Sequence, residues 1–187
     1  PQTVGEWLQW AIRAYARRKL ALGQVADNAH DEALYLLLRT LDLPLESPPS
    51  VLRRKVTAEQ AAKLAEVFRR RIDERVPAAY LTREAFLGGH KFYVDERVII
   101  PRSYFVELLP AIADLIESRA SGRRTIKRVV DVCTGSGCLA VLLAHQFPSA
   151  KVDAIELSTD ALAVAKFNVA QHELARRITL HRSDVFD

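Results

Sequence analysis

The sequence predicts an α/β fold in which a small helical domain precedes the first half of a doubly wound parallel sheet. Residues 1–80 place apolar side chains at helical spacing, which is typical of helices that pack around a shared core. Three short apolar runs, at residues 129–132, 152–157 and 177–181, then alternate with helical patterns. Strands that alternate with helices indicate βαβ units, and such units build parallel sheets.

Candidate caps mark where the helices of the first domain begin. Thr3 and Thr57 each stand three residues before a Glu or a Gln, which is the spacing of a capping box. Asp27 or Asn28 is a candidate cap for the helix between them. The proline-rich stretch at residues 47–50 predicts a break before the third helix.

A change in the spacing of the apolar residues predicts a β-hairpin that links the two domains. Residues 86–94 are aromatic and interrupted by glycine, and the polar triplet at residues 95–97 separates them from the apolar residues 98–100. The predicted division of the chain is therefore a helical domain at 1–80, a β-hairpin linker at 81–101 and the N-terminal part of the sheet domain at 102–187.

The turn after the first predicted strand is the centre of the predicted site. Gly135 and Gly137 follow the apolar run and precede a helical pattern. In such a strand–turn–helix unit the backbone N–H groups at the helix N-terminus can face a ligand, and glycine lets that ligand approach the backbone. With Ala140 these residues also fit the dinucleotide fingerprint, so the loop alone leaves the ligand open.

Three carboxylates near the predicted strand ends narrow the choice of ligand. Glu156, about twenty residues past the loop, can accept both hydroxyls of a ribose. Asp184, after the third strand, can accept the amino group of an adenine. Asp131 precedes the first glycine by four residues, where a carboxylate suits a positively charged sulfonium cofactor and repels a pyrophosphate. The acids therefore favour a methyl donor over a dinucleotide.

Composition is that of an ordinary globular protein without a membrane segment. Hydrophobic residues make up 49% of the chain, the net charge is +4, and neither a membrane-length apolar run nor a signal segment is visible. The two cysteines, Cys133 and Cys138, argue against a disulfide scaffold and predict a cytoplasmic protein. The five histidines show no metal-ligand spacing, so the sequence predicts no metal site.

Lys and Arg cluster in four short stretches. We interpret them as solvated helix faces and loops, with a phosphate-rich partner as the alternative. The clusters occupy residues 17–19, 53–55, 69–71 and 123–124.

The motif Asp131-x-Cys133-Thr134-Gly135-Ser136-Gly137 resembles the first motif of class I (Rossmann-like) S-adenosylmethionine-dependent methyltransferases. With the helical domain and linker, the chain resembles the protein-glutamine methyltransferases, in the branch that modifies large-subunit ribosomal protein L-three. The residues that carry this likeness are Ala79-Tyr80-Leu81-Thr82, Gly89 to Val98, Pro101-Arg102-Ser103 with Glu107, and Asp27-Asn28-Ala29-x-Asp31-Glu32.

The resemblance implies S-adenosyl-L-methionine as the cofactor, and no metal. It places Asp131 at the amino-acid end of the cofactor, Glu156 at the ribose hydroxyls and Asp184 beside the adenine. Pro101 and Arg102 would border the pocket close to the substrate. The residues it assigns to the methionine part are Cys133, Thr134, Gly135, Ser136 and Gly137.

The catalytic signature of the family, Asn-Pro-Pro-Tyr, does not occur in the sequence. We therefore assign no catalytic residue. We expect the chain to be the front part of an enzyme, inactive alone. A doubly wound sheet that stopped after three strands would leave the strand that is central in the complete sheet unpaired on one side.

The resemblance implies methylation of a glutamine side-chain amide nitrogen in ribosomal protein L-three, with the helical domain and linker holding that protein and ribosomal RNA as a further candidate partner. The alternatives are a release factor glutamine methyltransferase, an RNA or DNA amino-methyltransferase, an NAD-dependent oxidoreductase, and a module that binds cofactor without catalysis.

Overall fold

The computed structural model describes residues 1–23, 25–102, 104–119 and 126–185. The chain divides into two compact units, Pro1–Arg83 and Glu84–Asp187. The α/β class is confirmed, because helices form the first unit and the second combines helices with a parallel sheet. The finer division at residues 80 and 101 stays a prediction. Among the described residues, no helix is both long and apolar enough to cross a membrane.

Among its described residues, the helical unit contains four α-helices and one short 3-10 helix. These are α1 (Val4–Arg18), α2 (Ala29–Thr40), the 3-10 helix (Pro49–Arg53), α3 (Ala58–Ile72) and α4 (Ala78–Thr82). The 3-10 helix begins at the second proline of the predicted break, so the break is an ordered turn of helix that the pattern of residues did not reveal.

The predicted caps of this unit are confirmed. The Thr3 hydroxyl accepts a hydrogen bond from the backbone of Glu6 at 3.2 Å, and Asn28, not Asp27, caps α2. Thr57 forms a complete capping box at the start of α3. At Thr3 the box is incomplete, because the Glu6 carboxylate accepts from the backbone N–H of Gln2 at 2.6 Å. Each cap satisfies backbone donors that a helix start would otherwise leave unpaired.

A buried ion pair lies inside the helical unit. The Arg71 side chain is 6% exposed and donates through Nε to Glu32, whose side chain is 2% exposed, at 2.7 Å. The same guanidinium donates to the carbonyl of Ala21 at 2.8 Å and lies over the ring of Tyr15. The interpretation of the 69–71 cluster as solvated surface is therefore wrong for Arg71, whose partner is 39 residues away in the sequence.

The second unit opens with the predicted β-hairpin, but its turn lies elsewhere. Strand β1 (Glu84–Leu87) pairs antiparallel with β2 (His90–Tyr93), and the turn between them is Gly88-Gly89, with φ of 57° and 78°. The expectation that residues 95–97 turn the chain between two strands is wrong, since residues 98–100 form no strand.

Residues 95–97 form a turn of their own. The Asp95 carboxylate accepts from Nε of Arg97 at 2.9 Å and from the hydroxyl of Tyr93 at 2.9 Å. Hydrogen bonding to the Arg97 guanidinium lowers the pKa of Asp95 to about 2. Strong local pairing therefore explains why these polar residues end the strand instead of opening a second one.

In the part of this unit that the structure describes, a parallel sheet and three helices follow the hairpin. The sheet order is β3 (Arg128–Val132), β4 (Lys151–Glu156), β5 (Ile178–Arg182), and the helices are α5 (Phe105–Arg119), α6 (Cys138–Gln146) and α7 (Thr159–Gln171). Ser158 caps α7, because its hydroxyl accepts from the backbone N–H of Ala161, and Ser103, which precedes α5 in the sequence, lies outside the described residues.

One face of the sheet is packed and the other is open on β3. Val152 and Ala154 of β4 belong to one buried cluster with Val141 of α6 and Val169 of α7. On β3 the outward residues are 54% (Val130) and 46% (Val132) exposed. The side chains of β3 therefore alternate between core and surface, although the run at residues 129–132 is almost wholly apolar.

Candidate functional site

The glycine loop connects β3 to α6 with a backbone that turns through left-handed conformations. Cys133, Gly135 and Gly137 have φ of 61°, 55° and 77°. The loop is tied to the neighbouring strand by the Thr134 N–H, which donates to the carbonyl of Ile155 at 2.9 Å. The loop therefore sits at the carboxyl end of the sheet, where ligands bind in open α/β folds.

Gly137 is required by both conformation and space. A Cβ atom there would lie 3.1 Å from the Cβ of Ala165 on α7, whereas at Gly135 it would meet no atom within 4 Å. Glycine at 137 thus allows close packing of loop against helix, and glycine at 135 leaves open space next to the backbone.

Asp131 lies behind the loop, on β3, and is 5% exposed. It accepts a hydrogen bond from the Thr134 hydroxyl at 2.6 Å and another from the backbone of Ala140, in the first turn of α6. No basic side chain among the described residues forms an ion pair with it. Burial, partly offset by these hydrogen bonds, raises the pKa of Asp131 above its ordinary value.

Glu156 ends β4 beside the loop, with both carboxylate oxygens held by backbone donors. The N–H of Gly135 donates to one oxygen at 3.0 Å, and the N–H of Ser158 donates to the other at 3.0 Å. Each oxygen retains acceptor capacity, since a carboxylate offers about four lone-pair sites. The side chain is thus fixed in position while it can still accept from two hydroxyl groups.

A cavity of about 500 Å³ opens in front of the loop. Its volume falls in the range usual for small-molecule sites. It is lined by Leu87, Arg97, Val98, Ile99, Ile100, Pro101, Arg102, Cys133, Thr134, Gly135, Ser136, Cys138, Leu139, Glu156, Ser158 and Ala161. The loop, the end of β4 and the segment after the hairpin therefore face one space.

Most of the residues predicted for the site meet at this cavity, and three do not line it. Asp131 and Gly137 support the loop from behind. Asp184 is exposed just past β5, where one of its carboxylate oxygens accepts from the N–H of Val185 at 3.0 Å. The N–H of Ser183 donates to the carbonyl of Glu156 at 3.3 Å, so Asp184 follows a residue anchored to the same strand end.

Asn168 is a positioning residue that the sequence reasoning missed. It is fully buried on α7, and its Nδ2 donates to the carbonyls of Ser136 at 2.8 Å and Tyr93 at 3.0 Å. Its Oδ1 accepts from the N–H of Tyr93 at 2.8 Å. One amide thus joins the glycine loop and strand β2 to α7. The available signal was a polar residue on the helix face that otherwise carries Val164, Ala165 and Val169.

The two cysteines differ sharply in their surroundings. Both are free thiols; Cys133 is exposed at the cavity, and Cys138 is buried in the first turn of α6. Burial raises the pKa of Cys138 to about 12, so it remains protonated and is no nucleophile at neutral pH.

Residues 113–187 match the family described as Methyltransferase small domain. A ribosomal protein uL3 glutamine methyltransferase of Burkholderia pseudomallei is 46% identical over 185 residues, which is 99% of this chain and 59% of that protein. A second protein of that name, from Bordetella pertussis, is 42% identical over 191 residues, which is 100% of this chain and 61% of that protein.

Over nearly its whole length the chain is similar to protein-glutamine methyltransferases. The predicted resemblance is confirmed, and the chain spans about 60% of the length of the curated relatives it matches, 59% and 61% in these two cases. Among solved structures, the N-terminal domain of human METTL16 in complex with SAH is similar at TM-score 0.43 and 20% identity, covering 70% of this chain and 45% of that one. The roles of the individual cavity residues stay predictions.

Proposed function

We propose that the protein containing this chain transfers a methyl group from S-adenosyl-L-methionine to a glutamine side-chain amide of ribosomal protein uL3. The single observation that carries the proposal is the 46% identity, across 99% of this chain, to a relative named for that reaction. The cavity in front of the glycine loop supports it, because the loop backbone and the Glu156 carboxylate suit the donor.

The residues present fit the methyl donor. When bound, S-adenosylmethionine supplies a methyl group on a positively charged sulfur, which needs no metal for activation. Asp131 and Glu156 bring two carboxylates to one loop, and coulombic repulsion from Glu156 adds to the raised pKa of Asp131. Because these two carboxylates repel each other, the site favours a cationic ligand over a negatively charged pyrophosphate.

Glu156 orients the ribose end of the ligand. Its oxygens are held by the N–H groups of Gly135 and Ser158. Because the side chain is already fixed, little conformational entropy is lost when it accepts hydrogen bonds from the two ribose hydroxyls. Asp184 lies next along the same edge of the sheet and serves the adenine end. The Cys133–Gly137 loop holds the amino-acid end, with Asp131 fixing the loop from behind.

The chain contributes position and electrostatics, and we assign no catalytic residue to it. An amide nitrogen is a weak nucleophile because its lone pair is delocalised into the carbonyl. Rigid placement of donor and acceptor in line can lower such a barrier by several kcal/mol. Asn168 supports this rigidity, since it holds the loop and the hairpin strand to one helix.

We assign recognition of the protein substrate to the helical unit. This unit carries a cavity of about 440 Å³ whose lining includes the aromatic residues Trp7, Trp10 and Phe68 and the basic residues Arg17 and Arg69. Aromatic rings beside guanidinium groups are typical of protein-binding surfaces. Ribosomal RNA at the basic clusters is a further proposed contact, and the cytoplasm, where ribosomes assemble, is the proposed location.

The test uses the protein expressed from the gene that encodes this sequence, with methyl-labelled donor. Three substrates are compared: unmethylated uL3, an unmethylated peptide chain release factor, and ribosomal RNA. The proposal expects label in a glutamine of uL3 alone, and loss of that label in a Glu156→Gln variant. Label in the release factor alone would overturn the assignment to the branch that modifies uL3. Label in RNA alone would establish an RNA amino-methyltransferase instead.

A further inference from the structure

Three histidines from three elements meet on the sheet-containing unit, away from the cofactor cavity. His90 begins β2, His145 lies in the last turn of α6, and His172 follows the end of α7. The ring centroids of His90 and His145 are 4.5 Å apart, and those of His90 and His172 are 5.6 Å apart. One ligand nitrogen from each ring lies within 4.8 Å of the other two.

The cluster resembles a metal site in its ring nitrogens and their surroundings. The Nε2–H of His172 donates to the carbonyl of Lys91 at 2.9 Å, which leaves Nδ1 as its lone-pair donor. A backbone carbonyl that holds one ring nitrogen is the usual outer support of a metal-bound histidine.

The cations near the cluster have partners of their own, and the type of ligand limits which metal ions the cluster can bind. The Arg177 guanidinium is close enough to lower the pKa of His145, but it donates to the carbonyls of Phe147 and Ala150. The Lys91 ammonium pairs with Glu84. Within the described residues the ligand set is purely imidazole, which suits Zn²⁺ and similar transition metals and not Mg²⁺ or Ca²⁺.

We propose that His90, His145 and His172 bind one Zn²⁺ ion, with water in the remaining position. Zn–N bonds of about 2.0–2.1 Å place tetrahedral ligands about 3.4 Å apart, so the nitrogens must close by about 1.4 Å or less. The exposed ring of His145 can supply this movement by rotating, which also ends its parallel stacking on His90.

The bound ion would fix the hairpin to both helices. Asn168 already holds β2 at Tyr93, and the ion would hold the same strand at His90. The strand before this one ends at Leu87, which lines the cofactor cavity. The metal is therefore a structural clamp beside the cavity and takes no part in methyl transfer.

The experiment is calorimetric titration of the chelator-treated full chain with Zn²⁺, alongside His145→Ala and His30→Ala. His30 is an exposed histidine of the helical unit and serves as the matched control. The proposal expects one bound ion, an affinity at least about tenfold weaker in His145→Ala, and no change in His30→Ala, because even an outer-shell loss weakens metal sites by about 10–100-fold.

Co²⁺ in place of Zn²⁺ gives an independent readout. The intense visible absorption of four-coordinate Co²⁺ is expected in the wild type and should be lost in both His145→Ala and His90→Ala. Binding of equal affinity in His145→Ala, a stoichiometry near zero, or only the weak spectrum of six-coordinate Co²⁺ would each overturn the proposal.

Discussion

The two units of the chain each bury a carboxylate, and they treat it in opposite ways. In the helical unit Glu32 is matched by the Arg71 guanidinium at 2.7 Å. In the other unit Asp131 meets only a hydroxyl and the start of a helix, and burial raises its pKa. Buried charge is normally retained only when it is paired. The difference indicates that Glu32 serves the fold of its own unit, and it supports the proposed role of Asp131 beside a positively charged ligand.

The largest expected effect comes from breaking the pair in the helical unit. Replacing Arg71→Met leaves Glu32 buried without a cation, which should lower the free energy of unfolding by about 3–5 kcal/mol. Urea unfolding followed by tryptophan fluorescence measures this unit alone, because both tryptophans, Trp7 and Trp10, lie in it.

The control for that experiment is Arg69→Met, in the same arginine triplet. Arg69 forms exposed ion pairs with Glu66 and Glu74, so its loss should change stability only slightly. If the two variants unfold at the same urea concentration, the buried pair does not stabilise the helical unit as we describe.

The next effect tests how closely the glycine loop is packed. Gly137→Ala combines a left-handed backbone with contacts of 3.1 Å to Ala165, and should destabilise the second unit by about 2 kcal/mol or more. Gly89→Ala is the matched control, because Gly89 has nearly the same φ, 78°, with no atom within 4 Å of the added Cβ. Stability is measured by thermal unfolding followed by circular dichroism. Equal losses of stability in the two variants would contradict the packing role of Gly137.

Glu156 tests the ligand site of the second unit. Glu156→Gln should weaken S-adenosylhomocysteine binding by about 10–100-fold, the usual worth of a charged hydrogen bond. Because a Gln side chain can accept from only one of the two backbone N–H groups that Glu156 holds, the free energy of unfolding should also fall by about 1 kcal/mol. Asp160→Asn, an exposed acid in the first turn of α7, should bind like the wild type. Equal affinities for all three proteins in calorimetry would remove Glu156 from the site.

The smallest effect comes from Asp131 itself. Because its pKa is raised in the folded state, its contribution to stability is fully present below the unfolded pKa, near 3.8, and is lost as the pH rises through the folded value. Asp131→Asn should therefore stabilise the second unit slightly at neutral pH and flatten this pH dependence. A less stable variant at pH 7, measured by thermal unfolding, would show that the carboxylate serves the fold.

Local patterns predicted much of this structure, and long-range pairings account for most of what they missed. The capping box of Thr57 could be predicted because its partners lie three residues apart, and the strand end at Glu156 follows from a short apolar run. Arg71 with Glu32, and Asn168 with Tyr93, join residues that only the tertiary fold brings together. The position of the hairpin turn was predicted wrongly for a local reason, because Gly88-Gly89 and residues 95–97 both have the composition of a turn.

The most direct test of the central claim is calorimetric titration of this chain with S-adenosylhomocysteine and, separately, with NAD. If the loop, Glu156 and the buried Asp131 form a methyl-donor site, S-adenosylhomocysteine binds with one-to-one stoichiometry and NAD gives no heat. Selective binding of NAD, with S-adenosylhomocysteine inert, would contradict the account.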